Sequence, residues 1–137
     1  FARMEELETI LKNNRDISFP LIHMGQLDIE NVSHLIEKHK NVYFMMSRAN
    51  MIKGVNTRQP WTNVFINKKI KNGWKKLLIR HPDRFIFCID AVWPSDWSDK
   101  YYVKIANLWR EALNELPLSV VEQIASKNAE RLWGLTY

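Results

Sequence analysis

The chain has one cysteine, Cys88, among its 137 residues. That excludes an internal disulfide and fits a reducing compartment, so the cytoplasm is the expected location. No uninterrupted apolar run approaches the roughly 20 residues needed to cross a bilayer, and a soluble chain is expected. The first residues, FARMEELETILKNN, are charged and amphipathic and lack the apolar centre of a signal peptide. There is no low-complexity tract and no letter-by-letter repeat of solenoid period. Nor does a methionine open the chain: Phe1 leads straight into a helical pattern, as expected of a fragment of something longer. With 46% hydrophobic residues, this length suits one packed domain, residues 1–137, and not two.

What is present begins with charge. Lys and Arg number 20 against 15 Asp and Glu, for a net charge of +5, which permits contact with nucleic acid or another polyanion without requiring it. The densest basic stretch, NKKIKNGWKKLLIR, spreads Lys68, Lys69, Lys71, Lys75, Lys76 and Arg80 around Ile70, Trp74, Leu77 and Leu78. That spacing is roughly helical, so a solvated outer face is the plainer reading.

Along the chain a helix feeds a strand three times. Met4, Leu7, Ile10 and Leu11 recur at helical spacing before ISFPLI. Asp28 can cap a second helix carrying Ile29, Val32, Leu35 and Ile36, and VYFMM follows. A third helix is expected from Trp61 to Leu78, with Val64, Phe65, Ile70 and Trp74 on its face and Gly73 weakening it. The HPDR turn then opens FIFCI. Beyond the turn-like WPSDWSD, a fourth helix runs from Tyr101 to Leu116 until Pro117 stops it. A last one is expected to start at a capping box of Ser119 and Glu122 and to end at Gly134. The three strands are apolar throughout rather than alternating, as parallel strands covered on both faces are. The expected fold is therefore α/β, with about three parallel strands and flanking helices, and two open sheet edges that need covering.

Each strand ends in polar chemistry: FPLI at His23, VYFMM at Ser47 and Arg48, FIFCI at Asp90. In parallel α/β folds functional groups project from the carboxyl ends of strands. An acid adjoining an apolar strand must be paired, metal-bound or protonated to offset its desolvation. Asp90 is thus a candidate ligand for zinc or a similar divalent metal, and His23 a second ligand or a general acid/base. The structural alternative has His23 bonded to loop backbone and Asp90 capping the next turn. Arg48 can bind a substrate carboxylate or merely brace its loop. Trp93 and Trp97, flanking Pro94, can wall a substrate pocket or simply cover the rim. Met45 and Met46 read as core.

These same stretches resemble the amidohydrolase superfamily, in particular the amidohydrolase-related branch that includes metal-dependent decarboxylases of aromatic and related carboxylic acids. FPLIHMGQLDIENVSHLIEKHKNVYFMMSR resembles that family's sixth strand, helix and seventh strand. HPDRFIFCIDAVWP resembles its eighth-strand signature, and LPLSVVEQIASKNAERLWGL its closing helix. The resemblance runs from about Ile17 onward and implies the C-terminal portion of a (β/α)8 barrel, strands 6 to 8. It makes Asp90 the eighth-strand aspartate that binds or neighbours the metal, and His23 the sixth-strand histidine. Two departures stand out: Cys88 and Ile89 occupy the usual Gly and Thr/Ser positions, and the family's His-x-His and middle-strand ligand have no counterpart. His34, His39 and His81 lie in helix or turn contexts. The resemblance therefore implies a metal-dependent hydrolase or decarboxylase of a small-molecule substrate as the parent, with zinc the expected ion. The isolated chain is expected to lack turnover unless the missing barrel half or a homo-oligomer completes the site. The rival reading is a non-catalytic α/β module binding nucleic acid or another polyanion through the lysines and the six tryptophans.

Overall fold

In the computed structural model, residues 3–50 and 62–135 are described. The first helix, α1 (Met4–Asn13), buries Leu11 and carries Glu5 and Glu6 in its first turn and Lys12 in its last, each complementing the helix dipole. Strand β1 (Phe19–Leu21) follows. Helix α2 (Ile29–Lys38) buries Val32, Leu35 and Ile36. Its N-cap is Asp28, whose Oδ1 accepts the Asn31 N–H at 2.9 Å, as the sequence implies. Strand β2 (Val42–Met45) is buried for its first three residues. Strand β5 (Phe85–Ile86) completes a sheet of order β1-β2-β5 in which both pairings are parallel.

The stretch expected to be one helix from Trp61 is different. Trp61 lies outside the described residues, and Thr62 to Lys71 is not helical. Strands β3 (Phe65–Ile66) and β4 (Lys69–Ile70) form an antiparallel hairpin. Its two turn residues, Asn67 and Lys68, have φ of 48° and 63°, the left-handed pair of a type I′ turn. Helix α3 (Asn72–Arg80) begins only then, burying Trp74, Leu77 and Leu78. The physical reason is legible afterwards: Phe65 and Ile70 are buried while Ile66 and Lys69 face solvent, an alternation that suits a two-stranded ribbon turning at Asn67 and Lys68.

Helix α4 (Asp99–Leu113) supplies Trp109, which meets Phe65 edge-on at 4.8 Å and Phe87 at 6.1 Å between ring centres. The C-terminal segment runs as α5 (Leu118–Glu122), a π turn (Gln123–Lys127) and α6 (Asn128–Trp133). The expected Ser119 capping box does not form. Pro117 is the N-cap instead, its carbonyl accepting the Val120 and Val121 N–H groups, because proline's fixed φ already sets the first turn. The expected stop does form: Gly134 is left-handed at φ 62°, and Leu135 N–H bonds the Glu130 carbonyl.

Both sheet edges, expected to be open, are blunted. On the outer side of β5, Phe87 N–H donates to the Ile124 carbonyl at 2.9 Å, and Asn128 Nδ2 donates to the Phe85 carbonyl at 2.7 Å. The π turn thus lies along that edge. On β1, Phe19 N–H points inward to the Asn41 carbonyl, so Pro20, one residue on, turns outward a nitrogen with no proton to donate. Among the described residues no helix is long and apolar enough to cross a membrane.

Candidate active site

Three strand ends converge. Just after β1 the backbone turns through four consecutive left-handed residues, His23, Met24, Gly25 and Gln26, with φ between 55° and 63°. Only one is glycine, and each of the others costs on the order of 1 kcal/mol in that region. The fully buried Met24 side chain anchors the turn, which swings His23 back over the sheet. After β2, Arg48 is also left-handed at φ 53°. Strain of this kind collects where a side chain must be aimed.

The Asp90 carboxylate is the meeting point. Its Oδ2 accepts a short hydrogen bond from Arg48 Nε–H and lies 3.9 Å from His23 Nε2. All three side chains are about four-fifths buried, with 16%, 18% and 19% of the His23, Arg48 and Asp90 side-chain surfaces exposed, so the pairing acts in a medium that screens poorly. The buried Ser47 holds the imidazole on its other side. Ser47 Oγ is 2.9 Å from His23 Nδ1 and accepts the His23 backbone N–H at 3.2 Å, and the Ser47 carbonyl is 3.3 Å from Nδ1. With its proton on Nδ1 the ring donates to Ser47 and turns an Nε2 lone pair to Asp90. With the proton on Nε2, Ser47 O–H donates to Nδ1. The Ser47 contacts at Nδ1 are compatible with either tautomer.

Cys88 has a structural part here. Its Sγ accepts the Ser47 N–H at 3.1 Å, and burial pushes the thiol's pKa up, with the Ser47 contacts only partly opposing that. It therefore stays a thiol at neutral pH and is a poor nucleophile. Sequence reasoning placed Ser47 at a strand end without a role and passed over the Cys88 contact, since partners 24 and 41 residues apart leave no local signal.

Trp93, a proposed pocket wall, is 62% exposed, and Trp97, 67% exposed, stacks on Tyr102 with ring centres 6.4 Å apart. What organises their loop is the fully buried Asp96, whose Oδ2 accepts the Val92 and Trp93 N–H groups at 3.2 and 3.1 Å. The signal for it was the Pro94-x-Asp96 spacing at a turn start. Several lysines of the basic stretch are engaged within the fold: Lys69 and Lys75 pair with Glu115, and Lys71 donates to the Asn63 carbonyl.

The arrangement is a parallel α/β sheet carrying an acid, an imidazole and a guanidinium at the carboxyl ends of its strands. The amidohydrolase family matches residues 2–135, and the chain belongs to that family. No curated protein and no solved structure matches it.

Members of this superfamily generally use divalent metals. Among the described residues, however, no three His, Cys, Asp or Glu side chains come together to hold one, and the Asp90 oxygen that faces His23 is engaged by Arg48. The described donors do not by themselves make a metal site.

Proposed function

We propose that the chain, as a single domain 1–137, is the C-terminal part of a (β/α)8 enzyme of the amidohydrolase-related branch, with β1, β2 and β5 serving as barrel strands 6 to 8. The parent hydrolyses C–N or C–O bonds or decarboxylates a small carboxylic acid. The observation that carries this reading is the convergence of His23, Arg48 and Asp90 from three parallel strand ends, the position where such folds place their chemistry. Asp90 accepts the proton of an attacking water or substrate group, and His23, steadied by Ser47, holds or returns it. Arg48 meets a substrate carboxylate, and Trp93 walls the substrate beyond Asp90. A zinc-like ion in the parent takes its donors from outside the described residues, so no step is assigned to it here.

The described residues hold too few groups for turnover, so the site needs a companion. That companion is the missing barrel half or a second copy, and either has to displace the contacts that blunt the sheet edges before a strand can pair there. The test is Asp90→Asn in the full-length parent. Loss of most of the turnover is expected, and near wild-type turnover overturns the assignment.

A further inference from the structure

We infer that Arg48 takes the place of a divalent cation at Asp90: in this chain the guanidinium, and not only a shortage of donors, keeps metal off the His23–Asp90 pair. The inference rests on the functional reading above, in which His23 and Asp90 face one reaction site. Asp90 Oδ2 and His23 Nε2 are 3.9 Å apart. Donor atoms around a tetrahedral zinc with bonds of about 2.0–2.1 Å lie about 3.3 Å apart, so a small side-chain shift brings the two into ligand spacing. The far side of the imidazole is already dressed as a ligating histidine's is, with Nδ1 against the Ser47 carbonyl and hydroxyl. What occupies the near side is Arg48 Nε–H, donating to the same Oδ2.

A dication and a guanidinium cannot share that oxygen. A metal ion would add two positive charges beside a guanidinium in a site that is about four-fifths buried. Arg48 is also held in place by its backbone. It is a non-glycine residue at φ 53°, directly after the serine that brackets His23. Consecutive residues at the end of β2 thus fix the two halves of the pair, Ser47 on the imidazole and Arg48 on the carboxylate.

The test is zinc binding to the whole chain, read by competition with a chromophoric chelator and by native mass spectrometry for stoichiometry. Arg48→Gly is the first variant, because glycine suits a left-handed backbone and removes the guanidinium without straining the turn. Arg48→Gln is the second, in case the shorter residue upsets packing. Both are expected to bind one zinc at least tenfold more tightly than the unaltered chain. In the Arg48→Gly background, Asp90→Asn and His23→Gln are each expected to abolish the gain. Zinc held elsewhere on the chain is common to all variants and cancels. Equal affinities within threefold for the unaltered chain and both Arg48 variants overturn the inference, as does a gain that survives Asp90→Asn. Neither result touches the functional reading, which falls separately if Asp90→Asn leaves the parent's turnover intact.

Discussion

Asn128→Ala tests how the C-terminal helix holds the sheet. Asn128 is fully buried, and its amide nitrogen donates to the Pro82 and Phe85 carbonyls at 2.7 Å each. Its Oδ1 accepts from Gln123 Nε2 at 2.6 Å and from Arg131 at 3.3 Å. Alanine removes all four contacts. The Phe85 carbonyl is then buried without this donor, at a cost of about 1–3 kcal/mol, while the half-buried Pro82 carbonyl adds about 0.5–1.5 kcal/mol. The Gln123 and Arg131 donors can reach water, so their loss counts little. The sum is about 1.5–4.5 kcal/mol, a large share of the roughly 5–15 kcal/mol that stabilises a domain. At about 4 °C per kcal/mol for a chain of this size, Tm falls by about 6–18 °C. Urea unfolding of the purified chain, followed by far-UV circular dichroism and tryptophan fluorescence, measures it, with an unchanged m-value showing that the same surface unfolds. Asn128→Asp is the control: it keeps the shape but turns a carboxylate toward two carbonyls, and is expected to be at least as damaging. A stability within about 0.5 kcal/mol of the unaltered chain for either variant refutes the reasoning.

Two further outcomes follow from local geometry. Lys68→Gly should stabilise the chain by about 0.5–1 kcal/mol in the same assay, since Lys68 sits at φ 63° on an exposed turn and glycine adopts that region without strain. A destabilised variant would contradict the type I′ assignment. The second concerns Glu8, whose Oε1 lies 2.8 Å from His34 Nε2 and 3.5 Å from His39 Nε2. The hydrogen bond to His34 is the main cause that lowers its pKa below the ordinary carboxylate value. A depressed acid contributes stability that is present above its unfolded pKa and lost as pH falls through the folded one. Glu8→Gln should therefore be less stable than the unaltered chain near pH 6, with the difference closing toward pH 3. A difference that persists unchanged at pH 3 would show that charge is not its source.

Much of the fold was legible because its signals are local. The Asp28 cap, the apolar stripes of α1, α2 and α4, the Gly134 stop and the parallel character of the strands each depend on residues a few positions apart. Misreadings arose where two local signals competed. From Val64 to Ile70 the apolar spacing suits either period, and the Asn67–Lys68 turn decided for a hairpin only because Phe65 and Ile70 could both be buried, Phe65 against Trp109. At Ser119 a side-chain cap lost to the proline two residues before it.

The candidate site divides the same way. Sequence alone placed His23, Arg48 and Asp90 after apolar runs, because a run that stops at a polar residue is visible in one dimension; the strands themselves stop earlier, at Leu21, Met45 and Ile86. Only the tertiary structure decided that they meet, that Arg48 rather than His23 bonds Asp90, and that Ser47 and Cys88 buttress the group. Those contacts join residues 24 to 42 positions apart, and they depend on left-handed turns at His23 and Arg48. Burial elsewhere in the molecule has to hold such turns in place, and no neighbouring residue announces them.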